Sequence, residues 1–301
     1  MPELPEVETT VKGLNAKVCN RTFVSVWSDW SKLVKKPKDF KDFEREIKNK
    51  KIKKIWRRAK NIIFDLSGGY SLLIHQKMTG HMLVGKWVMQ DGQWKPEKDG
   101  PLNDPYNRFL HLVFYFDNKE MMALSDARKF AKVELWKTNE LLNSKEFINL
   151  GPEPLEESFT FEEFKKVLLG SPPSDPKGAP LRRGKVKQVL MVPQIIAGIG
   201  NIYASEILWQ AKVHPEKSVA KLNTKELKLI YQAIKNVLGK AVKLEGDSFS
   251  DYRKPDGNKG NFHAERKVYN REGQECKKCK VKIKRIKFGG RSTFFCPNCQ
   301  K

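Results

Sequence analysis

The chain has no apolar run near the ~20 residues that a membrane-spanning helix needs, and its first residues lack the charged-then-apolar pattern of a secretory leader. Membrane-bound and secreted readings are therefore disfavoured. Nor does a motif recur at a period of 20 to 50 residues, which argues against solenoids and propellers. Acidic residues are scarce: 35 Asp+Glu face 58 Lys+Arg, for a formal net charge of +23. That excess points to a polyanionic partner, because basic proteins bind nucleic acid largely by releasing counterions from phosphates. An apolar content of 39% makes the chain foldable and excludes a disordered basic tail. Cysteines number five, and four of them fall in the last 26 residues, consistent with a reducing compartment. The fifth, Cys19, reads as plain packing at a helix end.

What is present divides into three characters. Val7, Val11, Leu14 and Val18 form a helical stripe, with Pro5 suited to the first helical position and Glu6 and Glu8 to its positive end. Alternating β-rich runs follow at 22–27, 61–66, 70–76, 109–116, 120–125 and 132–136, with a helix-like run from Asp39 and a long polar loop at 88–107. Beyond the turn-rich LGPEPL near Leu150 the pattern becomes helical, over 161–169, 186–190, 201–210 and 224–244. A loop with four prolines, 171–180, lies between the first two of these helices. The expected class is α+β: an N-terminal antiparallel β-sandwich with flanking helices, then a helical domain and a C-terminal β-hairpin.

The start, MPELPEVETT, carries a chemistry of its own. Pro2 is small enough for Met1 to be removed, which leaves a terminal secondary amine. Terminal amines titrate near ~7.7 to 8.0 against ~10.4 for lysine, so a useful fraction is a neutral nucleophile at physiological pH. Attack on a sugar carbon yields an iminium, with Glu3 and Glu6 close enough for acid–base work. At the other end, Cys276-x2-Cys279, sixteen residues, then Cys296-x2-Cys299 has the spacing of a tetrahedral zinc site. Four thiolates close the shell, so the expected cofactor is one structural Zn2+. Between the pairs, Gly289-Gly290 marks a hairpin turn with Arg291 beyond it.

PELPEVETT, RRAK before an apolar strand, HQKMTGHML, SDARKF and AGIGNIYASEILWQAKVHP together resemble the formamidopyrimidine-DNA glycosylases, whose wider family includes endonuclease VIII, nearly end to end. The resemblance implies a helix-two-turn-helix element in the helical domain and a specific use for several residues. Pro2 is the nucleophile, Glu3 a catalytic acid with Glu6 in support, Lys60 a cation in the active site, and Arg291 a participant in the later elimination. Met78, Arg128 and Phe130 fill the gap left by an everted nucleotide, offsetting lost stacking. Asn201 contacts backbone phosphates, and Arg182 and Lys187 stand where the family places DNA-binding lysines. SDARKF departs from the usual Asp-Pro-Arg-Arg-Phe-Gly at Ala127, Lys129 and Ala131. The usual His-x-His is Phe109 and His111 here, so the DNA contact falls to Arg108 or His111.

The expected organisation is 1–137 catalytic sandwich, 138–150 linker, 151–250 helix-two-turn-helix domain, 251–271 lesion-loop segment and 272–301 zinc finger. The expected activity is that of a bifunctional glycosylase and AP lyase acting on 8-oxoguanine and formamidopyrimidines in duplex DNA, cytoplasmic and nucleoid-associated, working as a monomer. An endonuclease VIII-like enzyme for oxidised pyrimidines is the nearest alternative. A non-enzymatic zinc-ribbon DNA-binding regulator would account for charge and cysteines alone.

Overall fold

A computed structural model describes residues 1–170 and 184–301; Arg182 and the proline-rich loop 171–180 lie outside the described residues. The chain forms two compact units, the first from 1–148 with 244–263 and the second from 149–243 with 264–301. The segment expected as one lesion loop, 251–271, is thus divided after His263. Its first part is anchored to the N-terminal unit by the hydrogen bonds and ion pair described below.

The first unit opens with α1 (Leu4–Val18), β1 (Phe23–Ser28), β2 (Val34–Lys36), α2 (Phe40–Ile47), β3 (Ile52–Arg58), β4 (Asn61–Leu66) and β5 (Tyr70–His75). It continues through β6 (His81–Gly85), β7 (Trp87–Gln90), β8 (Gln93–Pro96), β9 (Leu110–Phe116), β10 (Met121–Ser125), β11 (Lys132–Lys137), α3 (Thr138–Leu142) and α4 (Lys145–Ile148). One sheet runs β1-β9-β10-β6 and the other β2-β11-β5-β4-β3, antiparallel except for the short β2–β11 pair. Alternation decides what each face meets. Ile62, Phe64, Leu72 and Ile74 share the main core with Val7, Leu14 and Phe114, while Ile63 and Leu73 pack with Leu141 and Phe147 of α3 and α4. Because β4 and β5 are covered on both faces, they read as almost unbroken apolar runs. Rings of Phe23 and Phe114 meet at 5.4 Å in this core, and removing either, as in Phe114→Ala, costs about 3 to 5 kcal/mol.

One expectation is corrected. Residues 88–107 are not one polar loop: β7 and β8 form a hairpin closed by Asp91-Gly92, both left-handed at φ 51 and 73. That pair suits a type I′ turn, and the hairpin lays Trp94 edge-on against Trp27 at 5.2 Å over the outer face of the β1 sheet. Its strands are too short and too exposed for alternation to announce them. The basic run 48–60 contains the edge strand β3, with Ile52 and Ile55 turned into the core and lysines outward.

The second unit holds α5 (Phe161–Leu169), α6 (Val186–Leu190), α7 (Asn201–Ala211) and α8 (Thr224–Lys243), followed by the hairpin β12 (Lys284–Phe288) and β13 (Arg291–Phe295). The hairpin turns at Gly289 and Gly290, φ 56 and 72, a conformation that favours glycine at both positions. Among the described residues, no helix is long and apolar enough to cross a membrane.

Candidate active site and nucleic-acid interface

In the first unit, α1 lies antiparallel to the edge strand β3, and the register is fixed by three contacts. Cys19 Sγ is 3.4 Å from the Lys53 carbonyl, Asn15 Nδ2 donates to the Ile55 carbonyl at 2.6 Å, and Arg57 Nε donates to Glu8 Oε2 at 2.9 Å. Carried on, this register brings the start of α1 and the β3–β4 turn, Ala59-Lys60, to the same end of the sheet. Pro2, Glu3 and Glu6 are all buried there. Lys60 follows Ala59, a residue held left-handed at φ 54 where a Cβ is disfavoured.

Glu6 is the most constrained of these carboxylates. Its Oε2 accepts the backbone N–H of Glu3 at 2.7 Å, and its Oε1 accepts the N–H of Asp247 at 2.8 Å. The Tyr252 hydroxyl donates to the Glu6 carbonyl at 3.0 Å. A Cβ on Gly246 would sit 2.9 Å from Glu6 Oε1, so only glycine fits against it. The Arg253 guanidinium then lies 2.9 Å from Asp104, and Pro255 accepts the Val84 N–H at 2.7 Å. Segment 246–255 is therefore a strap across the unit; residues 251–255 were expected to open the lesion-loop segment, and Gly246 and Asp247 were not singled out from sequence.

Met78 and Phe130 are 41% and 51% exposed, unusual for large apolar side chains on adjoining loops. The Arg128 guanidinium rests 4.5 Å from the Phe130 ring centroid. Buried Asp126 ties the two loops together: it accepts the Thr79 hydroxyl, the Phe130 N–H at 2.7 Å and the Ala131 N–H at 2.8 Å. The three expected wedge residues are thus brought together on a frame that sequence reading missed. An aspartate opening a short polar loop is the signal that was available.

His75 was also missed. Burial, with Lys77, Lys60 and Lys132 around it, pulls its pKa down to about 3, so the imidazole is neutral at physiological pH. Its Nδ1 accepts the Lys77 N–H at 3.0 Å, leaving Nε2–H as a donor beside three cations. Between the two candidates for the histidine-type contact, the geometry favours Arg108. It is exposed, with its guanidinium 4.9 Å from the Phe109 ring centroid, whereas His111 Nδ1 lies 2.8 and 3.0 Å from the two oxygens of Asp29.

In the second unit, Gly198 is left-handed at φ 85 and Gly200 caps α7, so the chain turns sharply into a helix N-terminus at Asn201. Asn201 Nδ2 donates to the Ser292 carbonyl at 3.1 Å and its Oδ1 accepts Lys187 Nζ at 2.8 Å. Lys187 is fully buried and donates also to Thr293 Oγ1 at 2.9 Å. It stands behind Asn201 as a brace, its ammonium held by Asn201 and Thr293 rather than lying on the surface. Arg291 is exposed at the hairpin turn. Buried Glu206, its carboxyl pushed up by burial, accepts the N–H groups of Lys267, Val268 and Tyr269 and fixes that segment on α7.

The four C-terminal sulfurs lie within 4.8 Å of one another, with Cys276–Cys299 at 3.9 Å and Cys279–Cys296 at 3.4 Å. Tetrahedral Zn–S bonds of about 2.3 Å set sulfurs about 3.8 Å apart, so the cluster fits one zinc with a closed, structural shell.

The chain matches the family patterns described as Formamidopyrimidine-DNA glycosylase N-terminal domain over residues 1–133, its H2TH domain over 150–253, and the zinc finger found in FPG and IleRS over 273–301. The chain belongs to the formamidopyrimidine-DNA glycosylase family. The Pelotomaculum thermopropionicum formamidopyrimidine-DNA glycosylase is 36% identical over 301 residues, covering 100% of this chain and 99% of the relative. A Lactococcus lactis enzyme variant bound to DNA containing Fapy-dG is similar at 31% identity and a TM-score of 0.83, with 100% of both chains covered. The Lactococcus lactis enzyme with abasic-site DNA gives the same identity and TM-score over 99% of each chain. Family membership and the fitting cysteine cluster together establish the structural zinc.

Proposed function

We propose that this protein is a base-excision DNA glycosylase and AP lyase for oxidised purines, with Pro2 as its nucleophile. The observation that carries the reading is the antiparallel register of α1 on β3, which brings Pro2, Glu3 and Lys60 to one end of the sheet. After Met1 is removed, the Pro2 amine attacks C1′ of an everted nucleotide while Glu3 protonates the opening sugar. The base leaves, and the iminium acidifies the adjacent C2′ proton, so β- and then δ-elimination cut the strand. Lys60 holds the neighbouring phosphate and neutral His75 donates beside it. Met78, Arg128 and Phe130 occupy the vacated stack, Arg108 and Asn201 take phosphates, and Arg291 assists the later elimination. Every residue assigned here lies on this one chain, which supports action as a monomer.

Borohydride trapping on an 8-oxoguanine duplex tests it. A protein–DNA adduct mapping to Pro2 is expected, lost when Met1 is retained, with salt-dependent binding preserved. Glu3→Gln is expected to slow base removal while sparing the fold. An adduct on Lys60 would overturn the nucleophile, and no adduct with any oxidised base or abasic site would favour a DNA-binding regulator.

A further inference from the structure

Lys129 sits between the wedge residues Arg128 and Phe130 but faces elsewhere. Its backbone is left-handed at φ 57, and its ammonium lies 4.7 Å from the ring centroid of Trp30, on the connection between β1 and β2. Lys32 brings a second ammonium to 5.1 Å from the same ring. Trp30 is 37% exposed, and its place is built: its N–H donates to Ser28 Oγ at 3.1 Å, and that hydroxyl donates to the His111 carbonyl at 2.6 Å. The neighbouring acid, Asp29, is engaged by His111.

We infer that Trp30, Lys32 and Lys129 form a phosphate clamp that grips the DNA backbone beside the extrusion wedge. Two ammonium groups held 4.7 and 5.1 Å from one ring centre repel each other, and an anion bound beside the ring relieves that repulsion. Contact with the ring restricts both flexible side chains before binding. Continuity with the wedge supplies the occupant. A side chain entering the stack through a minor groove about 6 Å wide has backbone phosphates on both rims, and Lys129 is covalently between two wedge residues. The clamp rests on the wedge reading only for which phosphates are gripped; the charge interaction itself applies to any duplex.

Salt dependence reads it directly, since giving up one lysine–phosphate pairing reduces the slope of log K against log[salt] by about 0.9. With the full-length zinc-loaded protein and a duplex containing a tetrahydrofuran abasic analogue, Lys32→Ala and Lys129→Ala are each expected to flatten the slope by about 0.9, and the pair by about 1.8. Lys129→Arg keeps the wild-type slope, and Trp30→Ala weakens binding in a way that Trp30→Phe restores. Lys98→Ala, which removes equal charge from an exposed loop position, is expected to leave the slope unchanged. A double variant with the wild-type slope, or a Lys98→Ala slope as flat as that of Lys129→Ala, overturns the clamp. Failure of borohydride trapping with a flattened double-variant slope would instead overturn the enzyme reading and leave the clamp standing.

Discussion

The backbone N–H of Phe130 donates to Asp126 Oδ2 at 2.7 Å, so the exposed ring of the proposed wedge hangs from a fully buried carboxylate. The same carboxylate accepts Thr79, one residue after Met78, and therefore sets the spacing of both wedge loops. Asp126→Ala strands several buried donors, at about 1 to 3 kcal/mol each, and Asp126→Asn keeps the volume but loses acceptor capacity. Both variants are expected to slow base excision from duplex by about tenfold or more, while cleavage of a preformed abasic site changes less, because flipping it takes less energy. Paired single-turnover assays check this, and an equal loss on both substrates would reduce Asp126 to a folding role.

Acid should destabilise the first unit, with His75 and Asp104 among the groups responsible. His75 has a folded pKa of about 3 against 6.5 unfolded, so between those values the unfolded chain binds a proton that the folded chain does not. Stability then rises with pH across that window, and His75 alone makes acidification unfavourable by up to several kcal/mol. Asp104 works in the same direction. Burial raises its pKa, but the neighbouring Arg253 and the Tyr106 N–H outweigh that and hold it below the usual range, so its stabilisation is lost as pH falls through the lowered value. Melting temperature measured from pH 7 to 4 should fall, and His75→Gln should flatten the curve between pH 6.5 and 4. An unchanged curve would place His75 in water rather than among cations.

Removing zinc should act at a distance within the second unit. The hairpin that the metal closes carries Arg291 and supplies Ser292 and Thr293 to Asn201 and Lys187. Chelation, or Cys296→Ser, is expected to release one zinc per chain and weaken DNA binding by more than tenfold, since metal binding contributes folding energy to such modules. The signature of the first unit's tryptophans should persist. Metal analysis with fluorescence-monitored binding decides it, and a metal-free protein with native affinity would detach the hairpin from DNA.

Features encoded within a few residues were legible. The cysteine spacing, the Pro-Glu start, the Gly-Gly turn and the exposed Met78 and Phe130 each announce themselves locally. What escaped depends on partners far along the chain. Asp126 reads as a loop aspartate until Thr79 folds beside it, and Lys187 reads as a surface cation until Thr293 and Asn201 close over it. His75 reads as a strand residue, because its neutrality comes from burial and from cations at three separate positions. The β7–β8 hairpin was hidden differently, by strands of four residues with one face in water.

The bond from Asp247 to Glu6 spans 241 positions of sequence, and it dictates when the N-terminal machinery can exist. A ribosome adding about 5 to 20 residues per second has released Pro2 long before it makes the strap, so the nascent sandwich waits some tens of seconds with Glu6 incompletely held. Such a remote closure also makes folding of that unit slow relative to its local hairpins. On the proposed mechanism Met1 is thus removed while the chain is unfinished, and Glu6 gains its fixed surroundings only after α5 to α8 have been synthesised.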